Sequence, residues 1–263
     1  MTQPTVRLRS AEVVGVPPLS PTGDGSRSGG RPSAPDRLTL ARRATTEALG
    51  TGLLVAAVVG SGIMGERLAG GSMGLALLAN TAATGAALVA LILALGPLSG
   101  AHFNPVVTLA ARAGGELPSR DVPAYLSGQV MGGLAGTAIA NLMFEGPIFS
   151  LSQHARSGPA QLFSEIVATF GLLLIIGLCA RHRPSAVPVA VAAYITAAYW
   201  FTASTSFANP AVTIARAVSD SFAGIRPQDV PGFIVAQCVG ATLAVVVVRW
   251  LVPPSSRHDS EPA

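Results

Sequence analysis

Asn104-Pro-Val-Val-Thr-Leu-Ala110 recurs as Asn209-Pro-Ala-Val-Thr-Ile-Ala215, one copy in each half of the chain. Proline fixes φ and has no N–H to donate, so it favours the first turn of a helix, and the Asn before it is a strong N-cap. Both segments therefore predict short helices, over 106–113 and 211–218. About eight residues at about 1.5 Å each give roughly 12 Å, far less than a bilayer core of about 30 Å. One isolated Asn-Pro pair is ordinary turn punctuation. Two copies with the same Val-Thr-aliphatic-Ala continuation read instead as a pair of re-entrant half-helices.

Their surroundings agree. Hydrophobic residues make up 50% of the chain and charged residues 11%, against about 25% charged in an ordinary soluble domain. The apolar residues are gathered into all-round apolar blocks such as 53–63, 73–95 and 186–203. Six membrane spans are predicted, at about 42–66, 73–95, 121–144, 160–181, 185–203 and 229–250. Each half then reads as span, span, Asn-Pro segment, span. Three spans per half is an odd number, so the halves lie in the membrane with opposite orientation. Inverted half-helices place their N-termini near the midplane, each presenting roughly half a positive charge and an Asn amide. Irregular backbone at that depth is tolerated where it is buried in protein or lines a water-filled cavity. The expectation is a pore that orients water or hydroxylated solutes and opposes cations.

A second echo, Gln129-Val-Met-Gly132 against Gln237-Cys-Val-Gly240, has almost the same spacing as the first. Gly128, Gly132 and Gly136 repeat along one helix face and predict close helix approach. Residues 1–38, rich in Pro, Gly, Ser, Thr and Arg, are expected to be a disordered cytoplasmic arm. The channel domain is placed at 39–252, with repeats of about 42–144 and 160–250, and 253–263 are taken as a short cytoplasmic tail.

The chain has no lysine, and Arg7, Arg9, Arg27, Arg31, Arg37, Arg42 and Arg43 precede the first apolar block. This distribution marks a cytoplasmic flank, not nucleic-acid binding. With the N-terminus inside, all of the 17 arginines except Arg67, Arg156, Arg216 and Arg226 fall on the cytoplasmic side. Both termini are therefore placed in the cytoplasm. Cys179 and Cys238 sit in apolar blocks without metal-site spacing, and no metal or cofactor is expected.

Ser99-Gly-Ala-His-Phe-Asn-Pro105 and Ser206-Phe-Ala-Asn-Pro-Ala-Val212 resemble the signature loops of the aquaporin, or major intrinsic protein, family. The resemblance covers about residues 42–252. It implies an all-α membrane protein with six transmembrane helices and two re-entrant half-helices in an inverted repeat, embedded in the inner membrane as a homotetramer. It makes Asn104-Pro105-Val106 and Asn209-Pro210-Ala211 the pore motifs, with Val106 where the family usually has Ala. Backbone carbonyls of Gly100, Ala101, His102, Thr205, Ser206 and Phe207 would line the solute file. Glu47 and Glu165 would turn inward and accept hydrogen bonds from the re-entrant loops; for Glu47, beside Arg42 and Arg43, snorkelling to the interface is an equal alternative.

The family narrows at a constriction of aromatic residues and one arginine. Counted from the motifs, its four positions fall on Thr84, Ala197, Ser206 and Val212, none aromatic and none arginine. That implies a wider and less polar opening, passing small neutral polyols as well as water. Arg216 is expected to anchor its half-helix at the outer surface, with reach toward the pore as the alternative. His154 and Arg156 are expected to be solvated loop residues, and His182 part of a cytoplasmic turn. Gly60-Ser-Gly-Ile-Met64 and Ser204-Thr-Ser-Phe-Ala-Asn-Pro210 are most similar to the bacterial subgroup associated with arsenic-resistance genes. That adds arsenite, as neutral As(OH)3, and methylated arsenic acids as candidate solutes. The rival readings are a secondary transporter, which needs an intramembrane ionisable site, and a structural membrane protein. An enzyme is not expected, because no nucleophile, base and metal-ligand constellation appears.

Overall fold

A computed structural model describes residues 38–252; the expected arm and tail, apart from Leu38, lie outside the described residues. Among the described residues eight α-helices follow one another: α1 (Leu40–Leu68), α2 (Met73–Ser99), α3 (Pro105–Ala113), α4 (Val122–Met143), α5 (Pro159–His182), α6 (Val187–Phe201), α7 (Pro210–Arg216) and α8 (Val230–Leu251). Their starts follow the local chemistry. Thr39, Ser72, Asn104 and Asn209 cap α1, α2, α3 and α7 with a side-chain oxygen, and proline stands in the first turn of α3 to α8.

Among the described residues five helical stretches are long and apolar enough to cross a membrane on composition alone. The sixth predicted span, α4, has the length but carries Gly, Gln129 and Asn141, all of which it turns inward. The burial pattern inverts that of a soluble protein. Leu53, Leu78, Leu93, Met131, Val235 and Trp250 are exposed, while Glu47, Gln129, Glu165 and Gln237 are fully buried. An apolar exterior of this extent suits lipid, not water.

The repeat is visible in the packing. α1 lies along α4 and α5 along α8, the first and third long helices of each half, while α2 meets α6 across the halves. The half-helices are exchanged: α3 packs on α8 as well as α4, and α7 on α4 as well as α8. Gly132 lets α4 touch α1, since a Cβ there would stand 2.1 Å from the Ala48 carbonyl oxygen; Gly240 plays the same part on α8, 2.4 Å from that of Ile166. Gly128 and Gly136 face α1 along the same line, as their spacing predicts.

The second half-helix ends at Arg216, two residues before the expected stop. The carbonyls of Ala217 and Val218 accept from the backbone N–H groups of Ser152 and Ser150 instead of continuing the helix.

Candidate pore

α3 and α7 meet end to end through their caps. Asn104 Oδ1 accepts from Val106 N at 3.1 Å, and Asn209 Oδ1 from Ala211 N at 3.0 Å and Val212 N at 3.2 Å. Each amide nitrogen then crosses to the other loop: Asn104 Nδ2 donates to Ala208 O at 2.8 Å and Asn209 Nδ2 to Phe103 O at 2.7 Å. An amide NH2 has two hydrogens, so each Asn keeps one after bracing its partner. Val106, the departure from the usual motif, is 1% exposed and is accommodated without loss of either crossing bond.

The loops that deliver these caps run in unusual backbone. Gly100 has φ 93°, and Ala101, Phe103, Thr205, Ser206 and Ala208 all lie between 47° and 58°. A run of left-handed non-glycine residues persists only where its surroundings over-determine it. Here two buried carboxylates do so. Glu47 accepts from Ser99 Oγ (2.6 Å), His102 N (3.0 Å), Phe103 N (2.7 Å) and Gln129 Nε2 (2.8 Å). Glu165 accepts from Phe207 N (2.9 Å), Ala208 N (2.8 Å) and Gln237 Nε2 (2.6 Å). A buried anion is tolerable when several donors replace its water. Glu47 thus turns inward, and snorkelling is excluded for it. Gln129 and Gln237 also donate to Thr108 Oγ1 and Thr213 Oγ1, both at 2.9 Å, tying each carboxylate to its half-helix. The two glutamines appear in the sequence as an unexplained echo; this is their role.

With their N–H groups held outward, the loop carbonyls of Gly100, Ala101, His102, Ser206 and Phe207 receive no protein donor among the described residues. They line a cavity of about 310 Å³ together with Asn104 and Asn209. At one end stand His102, Glu116, Arg181 and Arg249; at the other Thr84, Tyr199, Ser206, Val212 and Arg216. Leu54, Val58, Leu88, Leu172, Val191 and Ile195 supply an apolar wall between them.

Two expected lining residues stand elsewhere. Thr205 is not among the residues that line the cavity, and its hydroxyl meets Arg156 Nη1 at 3.3 Å. Ala197 is exposed on the outer side of α6, and Tyr199 takes its place in the wall, its hydroxyl 3.3 Å from Thr84 Oγ1. Two residues along a helix turn about 200°, so counting two short points to the opposite face. The expected absence of aromatic and arginine side chains is corrected with it, because Tyr199 and Arg216 both line the cavity beside Thr84, Ser206 and Val212.

Arg156 and Arg216, expected at the surface, are 6% and 2% exposed. Arg156 ties the loop between α4 and α5 down: its Nε donates to Gly224 O at 2.8 Å and its terminal nitrogens to Ser204 O, Thr205 Oγ1 and Phe222 O. Burial, with the Arg216 charge nearby, pushes its guanidinium down to about 9, still protonated at neutral pH. Both guanidinium carbons lie near the Phe207 ring, Arg216 at 3.4 Å from the centroid and Arg156 at 4.9 Å, within cation–π range. His154 is half-buried and donates its N–H to Ser152 Oγ. No cluster of His, Cys, Asp and Glu able to hold a metal occurs among the described residues.

Comparison with known proteins gives the same architecture. The chain matches the family description "Major intrinsic protein" over residues 35–186 and 177–262. It is 57% identical to aquaglyceroporin AqpS of Rhizobium meliloti (strain 1021) over 82% of this chain and 92% of that protein. It is 37% identical to aquaporin NIP1-1 of Zea mays over 38% of this chain and 36% of the relative. The X-ray structure of the aquaglyceroporin from Plasmodium falciparum superposes with a TM-score of 0.63 at 20% identity, covering 82% of this chain and 98% of that one, a likeness of fold.

Proposed function

Since the chain belongs to the major intrinsic protein family, a family of membrane channels and not of enzymes, we propose that its pore conducts water and glycerol-like polyols through a central site made by Asn104 and Asn209. The carrying observation is the cross-bracing of the two amides, which leaves each with one N–H beside unpartnered carbonyls in a single cavity. A hydroxyl group needs both a donor and an acceptor when it sheds water, and this file offers both. The apolar wall along Leu54, Leu88 and Ile195 suits the carbon side of a polyol. The printed name of the 57% identical relative, aquaglyceroporin, points to the same solute class. As(OH)3 and methylated arsenic acids remain candidates of similar hydrogen-bonding chemistry.

The transporter reading is weaker on a specific observation. Coupled transport needs an ionisable group free to bind an ion, and Glu47 and Glu165 are occupied by loop N–H groups and glutamines. We further propose that 39–252 form the channel domain, that both termini face the cytoplasm across the inner membrane, and that the apolar exterior is shared between lipid and three further copies in a homotetramer.

Proteoliposomes test the function directly. Osmotic shrinkage by stopped-flow light scattering, first with an impermeant osmolyte and then with glycerol, gives both permeabilities. Flux proportional to the gradient, without saturation or an ion gradient, is expected; saturating or ion-dependent flux would return the transporter.

A further inference from the structure

The loop between α4 and α5 contains Gly146-Pro-Ile-Phe-Ser-Leu-Ser152, a run without a charged residue. Its exposure is inverted for a loop in water. Ile148, Phe149 and Leu151 are 53%, 52% and 63% exposed, while Ser152 is 1% exposed. Side chains two apart in an extended chain share a face, and the hydrogen bonds show which face points inward. The N–H groups of Ser150 and Ser152 donate to Val218 O and Ala217 O, just past the end of α7, both at 3.0 Å. Ser150 Oγ accepts from Asp220 N at 3.0 Å. The serines are thus committed to the protein, and Phe149 and Leu151, which alternate with them, are turned away from it.

What covers that face follows from its continuation and its edges. Asn141 Nδ2 donates to Ile148 O at 3.1 Å, and Gly146 N to Asn141 O at 2.8 Å, which folds the run back onto the last turn of α4. There it continues the exposed apolar stripe of that helix, Met131, Ile139 and Leu142, with Met143 beside it. A contiguous apolar surface is a contact surface. Protein interfaces surround such a patch with a polar rim and hydrogen bonds. Here the N–H groups of Ser150 and Ser152 and the carbonyls of Ile148 and Leu151 are already bonded within the chain, as lipid demands of a backbone near it. Arg67 marks the edge: its Nη2 donates to Phe144 O at 2.8 Å and its guanidinium carbon stands 5.1 Å from the Phe144 ring centroid. An exposed arginine beside an aromatic ring at the ends of two spans belongs to the headgroup level.

We propose that residues 146–152 are a lipid anchor. Their backbone lies along the headgroup layer of one leaflet, level with Arg67, and Ile148, Phe149 and Leu151 dip into the acyl chains beside Leu142 and Met143. Interfacial segments immerse an apolar face by about 5–10 Å, which is within reach of these side chains. The partner is the hydrocarbon of the leaflet, so the contact needs no particular headgroup, and it holds whichever solute passes the pore.

Nitroxide labels on the full chain in phosphatidylcholine vesicles test the contact. Oxygen concentrates in the acyl chains and a neutral nickel chelate stays in water, so the two collision rates place each label. Cys179 and Cys238 are free thiols and are first replaced by Ala. The label is then attached through Leu151→Cys, with Ile139→Cys as the lipid reference and Gln153→Cys, at an exposed residue past the apolar run, as the water reference. The label at 151 is expected to relax faster with oxygen than with nickel, as at 139, and the label at 153 faster with nickel. Phe149→Cys reads the same face and decides the matter if Leu151→Cys fails to insert. Faster relaxation with nickel on this face shows a solvated loop and overturns the proposal. Protection from both reagents, with spin–spin broadening between copies, shows a protein contact and overturns it equally.

Discussion

Replacing Gly132 with Ala is the sharpest test of how this fold holds its pore open. The added Cβ would stand 2.1 Å from the Ala48 carbonyl oxygen and 2.7 Å from its carbon, where ordinary contact begins at 3.4 Å. The obstacle is backbone, so no side chain can swing away, and α1 and α4 must part by more than about 1 Å. Rotation gives no escape, because Gly128 and Gly136 press on Ala44 and Gly52 along the same line, at 2.6 and 2.1 Å for a hypothetical Cβ. Overpacking costs about 1–3 kcal/mol, and a rigid obstacle places this change at the upper end, about 3 kcal/mol. The functional consequence follows from the neighbours. Ala48 adjoins Glu47, and Gln129 lies one turn before Gly132, joined to Glu47 at 2.8 Å. Separation on that scale breaks this bond and loosens the grip on His102 N and Phe103 N. Melting of the purified protein in detergent should fall, and osmotic water flux in vesicles should fall with it. Gly74→Ala, where a Cβ meets nothing within 4 Å, should leave both intact. Wild-type melting and flux in Gly132→Ala would show that the helix contact does not support the loop.

Asn209→Ala removes a cap worth about 1 kcal/mol together with the bond to Phe103 O; water and glycerol flux should fall together, and unchanged flux in correctly inserted protein would remove Asn209 from the pore. Thr84→Phe combined with Val212→Arg adds bulk on both sides of the outer end beside Tyr199; glycerol flux should collapse while part of the water flux remains, and an equal loss of both would show that these positions do not select by size. Cysteines placed in the loop between α4 and α5 should label from outside intact cells, and those in the turn at Arg183 should not; outside labelling of that turn would defeat the proposed orientation.

The arrangement of helices was legible because it follows from composition and local rules. Apolar blocks set the spans, proline after an Asn cap set the half-helices, and the odd number of spans per half set the inversion. The sequence misplaced residues at the constriction beside Thr84, for reasons of geometry. Ala197 and Tyr199 are two positions apart, and an error of that size in register exchanges the lipid face for the pore face. The burial of Arg156 was illegible for another reason: its acceptors are carbonyls at Ser204, Phe222 and Gly224, and backbone oxygens leave no mark in a sequence. Any loop arginine looks the same until the fold brings unpaired carbonyls to it.

The echo Gln-x-x-Gly carries the opposite lesson, since the signal was plain and only its meaning was missing. The glutamine and the glycine lie one turn apart on a single face, so a third long helix can present both to the first long helix of its own half. The glycine brings the two backbones close, and the glutamine then reaches the buried glutamate that closeness makes available, Glu47 in one half and Glu165 in the other. Each glutamate in turn holds two consecutive N–H groups of its loop, His102 and Phe103 or Phe207 and Ala208. Holding those donors outward is what leaves the neighbouring carbonyls bare toward the cavity. Polar residues confined to one turn of an otherwise apolar span, repeated in both halves, thus serve the pore from its far side, without contact with any solute that passes.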